Sequence, residues 1–224
     1  MDYRDPDWVA ERLGVEKNTV YRFLQDGTIP AVQLGRKWLI SERRLEEWLS
    51  SETEKQTRQR REAARSAEAV VRRMDTFTAD ARAALKRAHA QARELAHQKL
   101  DVLHLLLGLA EDGRSAAGRA LGSLGVKPSE IRKRLQQSSP PRGTSPPARR
   151  LGRNAQAKRA MRLAARLAMR EGDGGPLSPV GTDHLLTGVF LARQGSGHEL
   201  LTQHKITRQR LREALAQAKG AQHE

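Results

Sequence analysis

The chain contains one short motif twice. Residues 104–109 read His104-Leu105-Leu106-Leu107-Gly108-Leu109, and residues 184–189 read His184-Leu185-Leu186-Thr187-Gly188-Val189. The offset of 80 residues persists downstream, where apolar positions of the first copy fall on apolar positions of the second: Leu121, Val126, Ile131 and Leu135 on Leu201, Ile206, Leu211 and Leu215. A histidine, a glycine and several apolar positions at a constant offset indicate an internal duplication.

Each copy begins with a longer helical pattern upstream of the motif. Apolar residues recur at helical spacing, at an offset of 76 residues: Ala81, Leu85, Ala88 and Ala92 in the first copy, and Ala157, Met161, Ala164 and Ala168 in the second. Thr78 and Asn154 precede these runs and are favoured N-cap types. The four additional residues fall in the turn-like segment 172–176. Each copy therefore predicts a capped long helix, a loop, a short histidine-containing helix and one or two further helices.

These features resemble a known family. Phe77-Thr78 before an Ala-rich helix, then H-L-L-x-G, then A-L-x-x-L-G-V is similar to the Clp N-terminal domain repeat of bacterial Hsp100 unfoldases, particularly the ClpC type. The resemblance covers residues 75–216 and includes both copies. It implies a tandem repeat of helical units, and hence a mainly α fold in this part of the chain.

Composition limits the class of protein. The 224 residues are enough for two small domains, and no cysteine is present to form a disulfide or a thiolate metal site. No run of about 18 apolar residues occurs, and the N-terminus does not resemble a signal peptide. We therefore expect a cytoplasmic protein that is not a membrane protein and that lies on the nucleoid when bound to DNA.

The net charge of +15 is unevenly distributed. Residues 1–55 hold 9 basic and 11 acidic side chains, whereas residues 141–224 hold 15 basic and 6 acidic ones. The duplicated part could therefore present a basic surface for phosphate groups on protein or nucleic acid. An Arg-rich face that only contacts solvent is the alternative.

The N-terminal residues have a different pattern. Residues 6–13 and 18–25 read as two short helices separated by Gly14, a spacing typical of a helix–turn–helix. Residues 29–40 alternate apolar and polar side chains on either side of Gly35-Arg36-Lys37, which predicts a small hairpin with a basic tip. Ser41 is a candidate N-cap for a third helix.

This order resembles the excisionase-type, MerR-like winged helix–turn–helix. The matching residues are Ala10, Leu13, Gly14, Val15, Thr19, Val20, Tyr21, Arg22, Gly27, Ile29, Pro30, Leu34, Gly35, Arg36, Trp38 and Ile40. The resemblance implies double-stranded DNA as a partner, with the second helix in the major groove and the wing on the backbone or minor groove.

The side chains expected to contact DNA lie on the second helix and the wing. Asn18 and Arg22 have the hydrogen-bonding groups that recognise base edges. The remaining candidates can bind phosphates or lie beside them: Lys17, Thr19, Tyr21, Gln25, Arg36 and Lys37. A merely polar helix face is the alternative. The charge of −2 over residues 1–55 suggests that one monomer binds weakly, and hence a homodimer or help from the basic segments.

The domain organisation follows from these patterns. We expect the winged helix–turn–helix in residues 1–50, a charged helical spacer in 51–74 and the Clp N-domain in 75–216. Within the last, repeat 1 is 75–136, a Pro/Ser/Arg linker is 137–150 and repeat 2 is 151–216, followed by a tail at 217–224. Self-association through the spacer is possible on this pattern.

No catalytic or cofactor site is predicted. The phosphate-binding motif G-x-x-x-x-G-K-[ST] is absent, so the sequence lacks the ATPase signature of Hsp100 proteins. His104 and His184 precede Leu-Leu on apolar helices, which favours structural histidines, donating to the backbone, over metal ligands. His198 and His204 lack acidic or cysteine partners at coordinating spacing. We therefore expect no enzyme, no metal and no cofactor.

Recognition is the remaining chemistry. ClpC-type N-domains carry G-T-E-H at the start of the H-L-L helix, and by resemblance these sites bind phosphoarginine on tagged proteins. The acid would pair with the guanidinium, and the threonine and helix N-terminus would hold the phosphate. The second copy has Gly181-Thr182-Asp183-His184, whereas the first has Asp101-Val102-Leu103-His104.

The candidate ligand-binding residues are therefore few. Thr182 and Asp183 keep the motif, with Asp for Glu, and Thr78 and Asn154 lie near such sites in the family pattern. The first site should be weak unless Asp101 substitutes for the missing acid. An ordinary N-cap pair is the alternative explanation of Thr182 and Asp183.

Two main hypotheses follow. In the first, the chain is a transcriptional regulator whose Clp N-domain senses a Clp client, an adaptor or a small ligand. In the second, it is an adaptor or decoy for the ClpCP protease that binds phosphoarginine-marked clients, adaptors or N-domain ligands. A non-specific basic binding protein is a third reading, and a steep salt dependence without sequence preference would mark it.

Overall fold

The computed structural model describes residues 2–137, 151–171, 178–193 and 195–220. The chain divides into two compact units, Met1–Glu62 and Ala63–Glu224. Most of the predicted linker 137–150, the turn 172–176 and the last four residues lie outside the described residues.

The first unit is a winged helix–turn–helix. Its elements in order are β1 (Tyr3–Arg4), α1 (Pro6–Leu13), α2 (Lys17–Gln25), β2 (Val32–Leu34), β3 (Lys37–Ser41) and the start of α3 (Glu42–Arg72). The three strands form an antiparallel sheet in the order β1-β3-β2. The predicted hairpin is present, with Leu34 opposite Lys37. Strand β1 has no counterpart in the sequence reading, because two residues carry no periodicity.

A small apolar core holds the first unit together. Its fully buried side chains come from both short helices, the sheet and α3: Val9, Val20, Leu24, Ile29, Ile40 and Leu45. The turn after α1 depends on Gly14, which has the left-handed φ of 64° that glycine adopts without steric cost. Asp5 begins α1 by accepting the backbone N–H of Trp8 at 2.8 Å.

The second unit contains two similar sets of four helices. The first set is α4 (Ala79–Glu94), α5 (Val102–Ala110), α6 (Ala116–Ser123) and α7 (Pro128–Gln137). The second set is α8 (Ala155–Glu171), α9 (Thr182–Ala192), α10 (Ser196–Gln203) and α11 (Arg208–Gly220). The mainly α fold class is confirmed. Helix α11 continues four residues beyond residue 216, where the sequence reading began a tail, because Ala218 is buried in the core.

Short backbone segments of the two copies pair with each other. Strand β4 (Lys99–Leu100), which precedes α5, pairs in parallel with β5 (Gly152–Arg153), which precedes α8. In the reciprocal position, Phe77 before α4 forms a parallel bridge with Val180 before α9. Each long helix therefore begins beside the motif helix of the other copy.

The glycine of each motif permits close helix packing. A methyl group on Gly108 would lie 2.3 Å from the carbonyl oxygen of Ala84, and one on Gly188 would lie 2.3 Å from that of Ala160. The facing positions, Ala88 and Ala164, are also alanines. Small side chains on both helices thus let α5 pack against α4, and α9 against α8, at nearly backbone contact.

The C-terminal part of α3 belongs to the second unit. Ala67, Val70 and Val71 are buried in its core. Glu68 forms an ion pair with Arg162 of α8 at 3.4 Å. Among the described helices, α3 included, none is both long and apolar enough to cross a bilayer.

Replacing Gly188 with alanine is expected to destabilise the second unit, because the new methyl group would meet a backbone oxygen. Overpacking of this kind costs about 1–3 kcal/mol. The matched control is Gly122→Ala on α6, where the methyl group enters open space and should stabilise the helix by about 0.5–1 kcal/mol. Urea unfolding of the full chain measures both, and equal midpoints for the two variants would contradict the close contact.

Candidate functional site

The exposed face of α2 carries the predicted DNA-contacting residues. Val20 and Leu24 point into the core, which fixes the opposite face toward solvent. Of the six candidates on this helix, four are exposed and two are partly buried: Lys17, Asn18, Arg22 and Gln25, and then Thr19 and Tyr21. Asn18 and Arg22 are four residues apart and therefore neighbours on the helix surface.

Two of these side chains have intramolecular partners. The Arg22 guanidinium lies 5.6 Å from the centroid of the Phe23 ring, a cation–π distance that restricts its direction. The Lys17 ammonium contacts the Asp7 carboxylate at 2.6 Å, and this hydrogen bond raises the pKa of Lys17. Lys17 would have to leave Asp7 before it could contact a phosphate.

The wing places two further cations at its tip. Leu34 and Lys37 are paired, so Gly35 and Arg36 form a two-residue loop. Gly35 has a φ of 61°, which favours glycine at this position. Arg36 and Lys37 are both exposed. The unit therefore presents a polar helix face and a basic hairpin tip, the two parts that a winged DNA reader requires.

The second-repeat motif lies at the start of α9. The backbone N–H of Thr78 donates to the Val180 carbonyl at 3.1 Å, so the α4 N-cap adjoins this segment. The Thr78 hydroxyl accepts from Ala81 N at 3.2 Å, as expected for an N-cap. Thr182 is 6% exposed, and its hydroxyl faces the N–H of Ala117 at 3.5 Å. The structure thus turns Thr182 toward the first copy.

Asp183 lies in a charged network beside α11. Its carboxylate contacts Lys219 Nζ at 2.5 Å and His184 Nδ1 at 3.3 Å. Burial alone would raise the pKa of Asp183, but the hydrogen bond and charge of Lys219 outweigh it and lower the pKa. A Cβ at position 181 would lie 2.3 Å from Asp183 Oδ1, so a larger residue than Gly181 would displace this carboxylate.

The histidine of this motif has a defined tautomer. His184 Nδ1 accepts the backbone N–H of Gly181 at 3.0 Å, so a neutral ring carries its proton on Nε2. That nitrogen lies 3.0 Å from Glu171 Oε2 and donates to it. Glu171, Asp183 and His184 are close enough to hold a metal ion. However, neither ring nitrogen has a free lone pair in this arrangement, because Nδ1 accepts the Gly181 N–H and Nε2 carries the proton.

A cavity of about 330 Å³ adjoins this network. Its polar lining includes the carboxylates of Glu171 and Asp183 and the cations Arg208, Arg212 and Lys219. Leu167, Phe190 and Leu215 supply an apolar part of the wall. The cavity therefore offers both signs of charge and an apolar surface within one concave site.

The corresponding place in the first copy has a cavity of about 350 Å³, but its polar candidates are already hydrogen-bonded. Asp101 accepts the N–H of Leu103 at 3.0 Å and the side-chain amide of Asn154 at 2.7 Å. Asn154 in turn caps α8 by accepting from Ala157 N at 2.8 Å. The position that matches Asp183 is Leu103, which is 2% exposed. Both polar candidates here are thus satisfied by each other and by helix caps.

The first-copy histidine is buried beside a second histidine. His104 Nδ1 accepts the backbone N–H of Asp101 at 3.0 Å, and His104 Nε2 lies 2.7 Å from His97 Nδ1. The sequence reading expected these motif histidines to donate to the backbone, whereas both rings accept from it. Burial, and then the neighbouring His97, lower the pKa of His104 to about 4.

Sequence reasoning missed several cavity residues. Lys219 lies in the segment that the sequence predicts to be a tail. Glu171, Arg208 and Arg212 belong to none of the predicted motifs. The offset of 76 residues and the amphipathic pattern of α11 could have placed Glu171 and Arg212 near the motif. The contact between Lys219 and Asp183 joins residues far apart in sequence and had no local signal.

Two sequence families match the chain. The Clp repeat N-terminal domain matches residues 76–204, and a helix-turn-helix domain matches residues 6–53. Because the first match covers more than half of the residues, the chain belongs to the Clp repeat N-terminal domain family. Both resemblances recognised in the sequence are confirmed. The matched domains are a DNA-binding type and a Clp-related protein-binding type, and neither match is to an ATPase domain.

Similar proteins match through the duplicated region. The chaperone ClpB of Oceanobacillus iheyensis is 27% identical over 146 residues. The "Negative regulator of genetic competence ClpC/MecB" of Bacillus subtilis is 28% identical over 145 residues. Each alignment covers 65% of this chain but 17% of the relative, so the chain spans less than a fifth of these relatives' length.

Solved structures show the same fold. The Hsp104 N-terminal domain from Candida albicans superposes with a TM-score of 0.52 and 17% identity, over 64% of this chain and 91% of that chain. The N-domain of ClpV from Vibrio cholerae gives a TM-score of 0.50 and 13% identity, over 65% and 86%. At these identities the likeness shows the fold alone.

Acidification is expected to destabilise the second unit through His104. The folded pKa is about 4, whereas an unfolded histidine titrates near 6.5. Above that value both states are neutral and stability is unaffected. As pH falls from about 6.5 toward 4, the unfolded chain binds a proton that the folded chain does not, so the free energy of unfolding decreases by about 3 kcal/mol.

Urea unfolding at pH 8, 6 and 5 tests this dependence. His104→Gln keeps an acceptor for Asp101 N but cannot titrate, so the loss of stability between pH 8 and pH 5 should be smaller in the variant than in the wild type. Titrating groups other than His97, which contacts His104, are common to both proteins and cancel in the comparison. Equal losses in the two proteins would contradict the assignment to His104.

Proposed function

We propose that the chain is a sequence-specific DNA-binding transcriptional regulator whose Clp N-domain is a sensor or protein-binding module. The observation that carries this proposal is the exposed face of α2, where Asn18 and Arg22 lie four residues apart beside a basic wing. Amide and guanidinium groups can bind base edges bidentately in the major groove, Asn at adenine and Arg at guanine.

The remaining residues fit supporting roles in this proposal. Thr19, Tyr21, Gln25 and the wing pair Arg36 and Lys37 would contact phosphates and fix the register of α2 on the duplex. Winged helices of this kind commonly pair on two half-sites, so a homodimer is part of the proposal. Genes of the Clp proteolytic system, or the chain's own gene, are the proposed targets, which would place the protein on the nucleoid.

The Clp N-domain would supply the signal. Its relatives are full-length Clp proteins, of which this chain matches less than a fifth. In the proposed mechanism, a Clp client, adaptor or small ligand binds the second unit and changes the occupancy of the operator. A ligand can do this only by binding one state more tightly than the other.

Selection from a random-sequence duplex library tests whether α2 recognises a DNA sequence. The full chain should enrich a defined sequence at physiological salt, and Asn18→Ala/Arg22→Ala should abolish the enrichment, because each lost base contact costs about 1–3 kcal/mol. The matched control is Gln56→Ala/Arg60→Ala, which also removes an amide and a guanidinium four residues apart from an exposed helix face. Enrichment that persists in the Asn18/Arg22 variant, or is absent in the wild type, would contradict the proposal.

A second candidate function is supported by the cavity at the second repeat. There the chain would act as an adaptor or decoy for the ClpCP protease by binding phosphoarginine on marked clients. Glu171 and Asp183 offer carboxylates for a guanidinium, and Arg208 and Arg212 offer cations for a phosphate. In the first repeat, Leu103 stands at the position of Asp183 and Asp101 is hydrogen-bonded to Asn154, which argues that its cavity is not an equivalent site.

Titration with free phosphoarginine, with arginine and with inorganic phosphate tests this second function. The wild type should bind phosphoarginine more tightly than either fragment, and Asp183→Asn should weaken binding about tenfold or more, since a charge-assisted hydrogen bond contributes about 1.5–3 kcal/mol. Glu213→Gln, which neutralises an exposed carboxylate on α11, is the matched control. Equal affinities of Asp183→Asn and wild type, or no phosphoarginine binding at all, would exclude the site.

A further inference from the structure

The net positive charge of the chain lies entirely outside its DNA-reading unit. Residues 1–62 hold 12 basic and 12 acidic side chains, whereas residues 63–224 hold 29 basic and 14 acidic ones. Neutralisation of phosphates supplies essentially all non-specific DNA affinity and much of specific affinity. A regulator with a neutral reading unit therefore requires cations from another part of its chain.

Of the two long helices in the second unit, α8 has the higher density of positive charge. Between residues 155 and 170 it contains five Lys or Arg residues and no acidic residue. Its buried face consists of small or apolar side chains, including Ala157, Met161 and Ala164. The cations occupy the opposite face, where they are exposed or partly buried: Lys158, Arg159, Arg162, Arg166 and Arg170. They share one arc of the helix surface, because most of them are four residues apart.

Most of these cationic side chains have no polar partner among the described residues. In the described part of the protein, Arg162 has an ion pair with Glu68 at 3.4 Å, and the other four have no ion pair or hydrogen bond. The equivalent helix of the first copy differs in that two of its four cations have side-chain hydrogen bonds. Arg82 donates to the Phe77 carbonyl, and Arg87 donates to the Gly108 carbonyl and to Asp112.

The internal repeat indicates that the fold does not require the charge at three of the five positions. At the offset of 76 residues, Arg159, Arg166 and Arg170 correspond to Ala83, Ala90 and Glu94 of α4, whereas Lys158 and Arg162 correspond to the cations Arg82 and Lys86. Both helices pack against their motif helix through the same Gly–Ala contact. Packing therefore does not explain the three additional cations of α8.

We propose that this face of α8 is a second DNA-contacting surface, which holds the phosphate backbone of a duplex without reading its sequence. From residue 158 to residue 170 the helix rises about 18 Å. One DNA strand carries a phosphate every 3.4 Å along the axis, so about five phosphates lie along that length. Four of the five cations are arginines, whose planar donors suit phosphate oxygens.

A protein partner fits this face less well. Protein interfaces depend on buried aromatic and apolar anchors. Helix α8 contains no aromatic side chain, and its apolar residues beside Arg166 and Arg170 are partly buried in the wall of a cavity: Leu163, Leu167 and Met169. The proposed surface uses no residue of α2, so its contribution does not depend on Asn18 or Arg22. It goes beyond the proposed regulator by assigning a DNA contact to the Clp N-domain itself.

The salt dependence of binding to a 24-base-pair duplex of arbitrary sequence tests the surface in the full chain. In Lys158→Gln/Arg166→Gln/Arg170→Gln, the slope of log K against log salt should decrease by about 2–3, since each lost phosphate contact removes about 0.9. The matched control is Arg93→Gln/Arg114→Gln/Lys133→Gln, which removes the same charge from exposed positions elsewhere in the unit and should leave the slope nearly unchanged.

The outcomes distinguish DNA binding by α8 from sequence recognition by α2. Asn18→Ala/Arg22→Ala removes one cation, so it should lower the slope on this duplex by at most about 0.9, even though it loses sequence selection. Equal slopes for the α8 variant, the control variant and the wild type would overturn the inference, as would absence of binding by the wild type at 50 mM salt. Displacement of the duplex by polyglutamate at an equal concentration of charge would also overturn it, because the face would then be a general polyanion surface.

Discussion

The Gly–Ala contact between the long helix and the motif helix of each repeat is the constraint on which the second unit depends. Gly108 and Gly188 sit where any side chain would collide with the backbone of α4 or α8. The close approach buries each motif helix, which is almost wholly apolar after its first turn. It also brings the polar N-terminus of that helix beside the N-cap of the other copy's long helix. The fold and the position of both candidate sites follow from the same contact.

The duplication produces two sites with different chemistry. At the first site, Asp101 and Asn154 hydrogen-bond to each other and to helix N-termini. Gly181 leaves room for Asp183 at the second site, where Lys219 stabilises the carboxylate in its charged form. The long helices differ in the same direction, since two of the four cations of α4 are hydrogen-bonded internally while four of the five on α8 have no such partner within the described residues. The polar groups named in the first copy thus mainly make hydrogen bonds that support the fold, whereas those of the second copy are more available for binding.

Much of this architecture could be predicted from the sequence because it is written in local patterns. The repeat offset gave the matching helices, Thr78 and Asn154 gave their caps, and the glycine-separated helices with a basic hairpin gave the winged unit. No local sequence pattern predicts the pairing of β4 with β5 across the two copies, because it joins residues some fifty positions apart. For the same reason the sequence did not reveal the Lys219–Asp183 pair, or that Thr182 faces Ala117 rather than solvent.

The central functional claim is that α2 reads DNA sequence, and chromatin capture in living cells tests it most directly. The wild-type chain should occupy a small number of sharp genomic sites that share one sequence, and these should disappear when Asn18 and Arg22 are both replaced by alanine. Diffuse occupancy that is the same in both proteins would contradict the claim. It would leave the charged cavity of the second repeat as the working surface of the molecule.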